Sequence, residues 1–172
     1  MERVNKIMNH GLFQVYLTKN RKAEENRRFC RHDMGHFLDV ARLAMIFYLQ
    51  NGCLSDSVPV SGDSEDAEEE MIYAAALLHD IGRWKQYELG MPHEKASALL
   101  APEILSDCGF TEKETAQILE AIVNHRNEAV KEEQSLRGLL YRADKMSRSC
   151  FCCEAEGECD WKGSKKNSEL CY

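Results

Sequence analysis

The stretch MIYAAALLHDIGR, residues 71–83, decides how the rest of the chain is read. Ile72, Ala75, Ala76 and His79 recur at i, i+3, i+4 and i+7, the spacing of one face of an α-helix. The run therefore predicts a helix, over about Glu65 to His79, that turns an imidazole toward the core. Asp80 follows at once, and the Gly and Pro of IGRWKQYELGMP then mark a connection. A single histidine on an apolar face is more often a hydrogen-bonded core residue than a ligand, so the pattern gains meaning only if it recurs.

Working outward, it does recur. Ile118, Ala121, Ile122 and His125 repeat the spacing, Leu136, Leu140, Ala143 and Asp144 place a carboxylate at the inner end of a last helix, and His36 heads a stripe of Val40, Leu43, Ala44 and Phe47. Four helices thus each aim a metal-competent side chain into one interior. Further helices are expected over about Leu12 to Arg28, about Asp33 to Leu49, from His93 through HEKASALLAPEIL with a bend at Pro102, after a Thr111/Glu114 capping box, and over about Glu133 to Cys150. The acidic stretch at about 52–66 reads as a solvated loop, and the polar residues after Cys150 as a loose tail. The fold class expected is an all-α helical bundle with a central metal site, divided into an N-terminal helical segment (1–29), a main domain (30–149) and a Cys-rich tail (150–172).

Composition agrees with one helical domain. At 172 residues the chain can bury a core unaided, its hydrophobic fraction is 44%, and 3 Pro and 10 Gly are few for a turn-rich β design. A net charge of −7 argues against duplex nucleic acid as a partner, although it leaves room for a local cationic site. The N-terminal residues lack a secretory pattern and no apolar run would span a bilayer, so a cytoplasmic address with no membrane contact is expected.

A buried carboxylate such as Asp144 costs several kcal/mol unless a cation or hydrogen-bond donor compensates it. Imidazoles grouped with carboxylates suit a divalent transition metal, Mn, Fe, Co, Ni or Zn, with Mg a further choice. His36, the doublet His79-Asp80 and the distant Asp144, in the contexts HFLDVARLA, AALLHDIGR and YRADK, together resemble the H…HD…D signature of HD-domain phosphohydrolases over roughly residues 30 to 148. The resemblance implies a bundle of five or more helices around the metal, and hydrolysis of a phosphoester by metal-bound hydroxide. Such an ion lowers the pKa of bound water from 15.7 towards about 7. The substrate it implies is a small phosphorylated metabolite, a nucleotide among them.

Some HD subfamilies add histidines between the doublet and the last aspartate. By that resemblance His36, His79, Asp80, His93, His125 and Asp144 form a dinuclear site bridged by Asp80. The alternative leaves His93 exposed in a first helical turn and His125 as a core residue or catalytic base beside a single ion. His32 lies one turn before His36 and competes with it as the first ligand. His36 is preferred because it fits the HxxxVAxxA pattern, which leaves His32 for substrate. Arg83, Lys145 and Arg126 are the phosphate-binding candidates, and Trp84 and Tyr87 could pack a nucleobase. Two rivals share these ligands: a di-iron oxygenase of the same fold, and a metal-binding regulatory module without turnover.

The chain holds 8 Cys, five of them at Cys150, Cys152, Cys153, Cys159 and Cys171. With no second C-x-x-C knuckle to pair with Cys150–Cys153, reduced thiols packed on the bundle are preferred to a zinc ion or iron–sulfur cluster.

Overall fold

The computed structural model describes residues 1–51 and 64–170, so most of the expected acidic loop, and Cys171, lie outside the described residues. Among the described residues the chain is helical with no strand: α1 (Glu2–Asn9), α2 (Gly11–Ala23), α3 (Met34–Asn51), α4 (Ser64–Leu78), α5 (Arg83–Leu89), α6 (His93–Asp107), α7 (Glu112–Asn124) and α8 (Leu136–Met146). Helices α3, α4, α7 and α8 pack side by side, α5 and α6 flank them, and α1 and α2 brace the outside. The expected all-α bundle is what forms.

Helix α4 lies at the centre because almost nothing on its second half is polar. Ile72, Ala74, Ala75, Ala76, Leu77 and Leu78 are all buried, and the alanines let α3, α7 and α8 approach closely. Phe37, Val40, Ala41 and Ala44 face it from α3, Ile118, Ala121 and Ile122 from α7, and Leu139, Leu140 and Ala143 from α8. The capping box of α7 forms as read: the Glu114 amide donates to Thr111 Oγ1 at 3.2 Å and the Thr111 amide to Glu114 Oε2 at 2.8 Å.

Several boundaries differ from those expected. Helix α1 was not anticipated; Val4 and Ile7 bury it, and Arg3 joins it to Glu70 of α4 and Glu114 of α7. Helix α2 stops at Ala23 and not near Arg28, because the Glu24 carboxylate is drawn inward to His32. The stretch after Asp80, read as a connection, holds the short α5, which ends where Gly90 takes φ 68°. Helix α6 runs through Pro102. Helix α8 covers less than Glu133 to Cys150, since Ser135 caps it and Ser147 closes it.

The tail is not loose. Asn167 Nδ2 donates to the carbonyls of Lys145, Met146 and Arg148 at 3.0, 3.1 and 2.8 Å, answering the free carbonyls at the end of α8 and folding the chain around Asn167 back over it. No helix of the described residues is long and apolar enough to cross a membrane.

Candidate metal centre

Asp80 sits in the turn after α4, and its main chain is fixed from a distance. Asn20 of α2, fully buried, donates from Nδ2 to Asp80 O at 2.8 Å and accepts the Trp84 amide on Oδ1 at 2.8 Å. Gly82 follows because nothing larger fits: a Cβ there would stand 2.5 Å from Ser97 N and 2.6 Å from Ala96 C. Its amide donates to Ser97 Oγ at 3.0 Å, which presses the turn onto α6 and brings His93 to Asp80.

The two oxygens of Asp80 face two different sets of imidazoles. Oδ2 lies 3.4 Å from His79 Nε2 and 4.0 Å from His36 Nε2, and Oδ1 lies 3.2 Å from His93 Nε2 and 3.7 Å from His125 Nε2. The rings of each set meet nitrogen to nitrogen, His36 to His79 at 3.3 Å and His93 to His125 at 3.2 Å. Asp144 completes the first set, its Oδ1 3.7 Å from His36 Nε2 and 3.9 Å from His79 Nε2. His36–His79–Asp80 and Asp80–His93–His125 each have ligand atoms within 4.8 Å of one another. His93 is 5% exposed, so the alternative of an exposed first-turn residue is not what forms.

This donor set fits divalent metal. His79 Nδ1 donates to Ala76 O at 2.7 Å and His125 Nδ1 to Ile122 O at 2.6 Å, which leaves Nε2 of each ring as a lone pair aimed into the centre. Asp80 Oδ1 is buried and accepts no hydrogen bond. Inward lone pairs and a buried carboxylate repel one another until a cation stands among them.

Electrostatics point the same way. Burial alone would raise the Asp80 carboxyl, but the His79, His32, His93 and His125 rings hold it well below the usual carboxylate value. Asp144, which burial would also raise, is likewise held low, by Lys145 first and then by the histidines. Burial, with His79 adding to it, lowers His36 to about 4. Burial lowers His93 to about 3 against the pull of Asp80. At neutral pH Asp80, Asp144, His36 and His93 are therefore in the protonation states that bind metal.

His32 has a partner that the sequence did not disclose. Glu24, 2% exposed, meets His32 Nδ1 with Oε1 at 2.6 Å, accepts the His32 amide on Oε2 at 2.7 Å and takes the Tyr87 hydroxyl at 2.7 Å. The ring thus presents Nε2 to Asp80 Oδ2 at 3.5 Å. Burial would raise Glu24, but the hydrogen bonds and charge of His32 bring it down to about 2.

A cavity of about 230 Å³ opens onto the centre. Arg83, Arg126 and Lys145 line it, and Arg27, Arg31 and Arg148 join them, giving a cationic mouth on an acidic protein. Arg83 Nη1 reaches His93 Nδ1 at 2.6 Å, Lys145 Nζ pairs with Asp144, and Arg126 Nη1 stands 3.5 Å from Glu94 Oε2. Trp84 and Tyr87 do not line the cavity. Trp84 is 8% exposed and stacks on Tyr16 at 6.3 Å, while Tyr87 is engaged by Glu24. The aromatic walls are instead Phe29 and Trp161.

Residues 34–149 match the HD domain family. The chain belongs to the HD-domain family. The match spans α3 to α8 and with them every histidine and aspartate of the two sets. A protein of Clostridium beijerinckii described as an uncharacterized protein is 40% identical over 172 residues, covering the whole of both chains. No solved structure matches. HD domains form a superfamily of metal-dependent phosphohydrolases, and the histidine–aspartate sets of this HD domain fit divalent metal.

Proposed function

We propose that this chain hydrolyses a phosphoester of a small phosphorylated metabolite, a nucleotide being the preferred kind, at a dinuclear metal centre bridged by Asp80. The observation that carries the reading is the division of Asp80: each of its oxygens serves a separate imidazole pair. His36, His79, Asp80 and Asp144 would hold one ion, and Asp80, His93 and His125 would hold the other, which would make His125 a ligand and not a free base. A divalent pair bound there supplies the Lewis acidity that acidifies water and offsets charge developing on phosphorus.

The chain's own side chains do the rest. Arg83, Arg126 and Lys145 draw the anionic phosphoryl group to the centre and orient it, and Arg27, Arg31 and Arg148 extend the same attraction to the mouth. Phe29 and Trp161 offer apolar faces to a nucleobase or another flat leaving group. His32 Nε2 stands beside the bridging carboxylate and carries the proton that the leaving oxygen takes. Glu24 behind it stabilises the imidazolium, as a carboxylate does for a catalytic histidine elsewhere.

The test is phosphate release from a panel of nucleotides and simple phosphomonoesters after loading with Mn, Fe, Co, Ni, Zn or Mg. Release by the parent, abolished in Asp80→Ala, supports the proposal. No release with any ion overturns it, and oxygen consumption by the iron-loaded protein would move the same centre to oxygenase chemistry.

A further inference from the structure

A second group of side chains able to bind metal lies away from the histidines, with Cys30 and Cys159 lining the cavity and Cys150 and Cys153 a separate groove. Cys30 comes from the segment before α3, and Cys150, Cys153 and Cys159 from the chain after α8. The backbone sorts these thiols from the others. Cys150 opens a 3₁₀ turn in which the Cys153 amide donates to Cys150 O at 3.3 Å. With three residues per turn, positions i and i+3 eclipse, so the C-x-x-C pair shares one side. Cys152 takes another direction, exposed, with its thiol 3.5 Å from Ser149 O. A second 3₁₀ turn at Glu156–Glu158 returns the chain, and Cys159 then lines the same cavity wall as Cys30. Cys108 is buried at the end of α6 and takes no part.

The two segments are already docked. Glu158, next to Cys159, forms a two-armed ion pair with Arg28, two residues before Cys30, at 2.9 and 3.0 Å. Ala155, 4% exposed, shares a groove with Phe29 and Arg31 on either side of Cys30. Burial raises the Cys30 thiol, and the Cys150 and Cys153 thiols raise it further, as neighbouring groups of one charge do. The six described cysteines are free thiols.

Core packing does little to hold this part of the chain. No residue beyond Met146 belongs to the hydrophobic core, Ala155 is its one buried apolar side chain among the described residues, and Phe151 and Trp161 are 47% and 41% exposed. The Arg28–Glu158 pair is exposed and contributes little by itself. A short segment of one-turn helices with paired thiols and almost no core is the kind that a structural metal staples.

We propose that Cys30, Cys150, Cys153 and Cys159 form a four-thiolate zinc site that fastens the C-terminal segment to the segment before α3. Four sulfur ligands in a closed set select zinc over the harder ions suited to carboxylate and water. On binding, the four thiols release their protons to solvent and become thiolates. No three of these four thiols lie within 4.8 Å of one another, so the two segments would have to draw closer on binding. The site would fix Cys159, and with it Trp161, as a wall of the cavity.

Reduced full-length protein charged with cobalt(II) reads this site independently of activity, because thiolate ligation gives intense sulfur-to-metal charge-transfer absorption that a histidine–carboxylate centre lacks. The parent, Cys152→Ser and His36→Ala should show the band. Cys30→Ser, Cys153→Ser and Cys159→Ser should lose most of it, bind about one zinc per chain less than the parent, and be cleaved faster in the tail by protease. Far-UV circular dichroism equal to that of the parent shows that a Ser variant is folded, and Cys30→Ser and Cys153→Ser give two widely separated chances of that. A parent without the band, or folded Cys30→Ser and Cys153→Ser variants that keep both band and zinc, overturns the proposal and leaves the HD centre as argued.

Discussion

Glu24 Oε1 holds His32 Nδ1 at 2.6 Å, and the same ring reaches Asp80 Oδ2 with Nε2 at 3.5 Å. The Glu24 carboxylate, the His32 imidazole and the Asp80 carboxylate thus follow one another from the end of α2 to the centre. The pair gives His32 a fixed orientation.

Glu24→Gln keeps the shape and removes the charge. We expect kcat to fall by about 10- to 100-fold with KM nearly unchanged. Steady-state kinetics checks this. A variant with the parent's kcat would remove the Glu24–His32 pair from proton transfer.

Asn20 clamps the turn that carries Asp80, accepting from the Trp84 amide and donating to Asp80 O. Asn20→Leu leaves the Trp84 amide buried and unpaired, at about 1–3 kcal/mol, while Asp80 O keeps only the Arg83 amide, at 3.0 Å. Thermal unfolding should come several degrees earlier, at about 2–4 °C per kcal/mol for a chain of this size. An unchanged Tm would mean that the turn holds itself.

Gly82→Ala sets a methyl against Ser97 N and Ala96 C, so α5 and α6 must part. Overpacking of this kind costs about 1–3 kcal/mol. Because His93 opens α6, the second metal should bind more weakly than the first, which calorimetric titration with Mn would show. Equal weakening of both, or of neither, would contradict the role given to this contact.

The metal-free protein should lose stability in acid for a calculable reason. His36 and His93 are lowered to about 4 and about 3 from a usual 6.5, so between 6.5 and those values the unfolded chain binds protons that the folded chain refuses. Stability therefore rises with pH across that window and levels off above 6.5. Glu24, held at about 2, adds a loss of the same sign as pH falls from 4.5. Tm of the metal-free protein should be lower at pH 5 than at pH 7, and the difference should shrink in His36→Ala. A Tm that rises on acidification would refute the burial of these rings.

Most of the centre was legible in the sequence because burial wrote it there. His36, His79, His125 and Asp144 lie on stripes of apolar residues, and a stripe fixes which way a helix turns. His93 has no such stripe; its place is set by the contact between Gly82 and α6, which only the fold reveals. Glu24 and Asn20 were not legible, since each is a single polar residue whose partner arrives from elsewhere in the chain. Trp84 misled for a related reason: the short α5 stacks it on Tyr16 of α2. The wall formed by Trp161 depends on Asn167 folding the tail back over the end of α8, a long-range hydrogen-bond pattern with no sequence periodicity.

Anomalous diffraction from Mn-loaded crystals tests the dinuclear centre most directly. The account predicts two peaks on opposite sides of Asp80, one among His36, His79 and Asp144 and the other between His93 and His125. A single peak, or two that do not share Asp80, would contradict it.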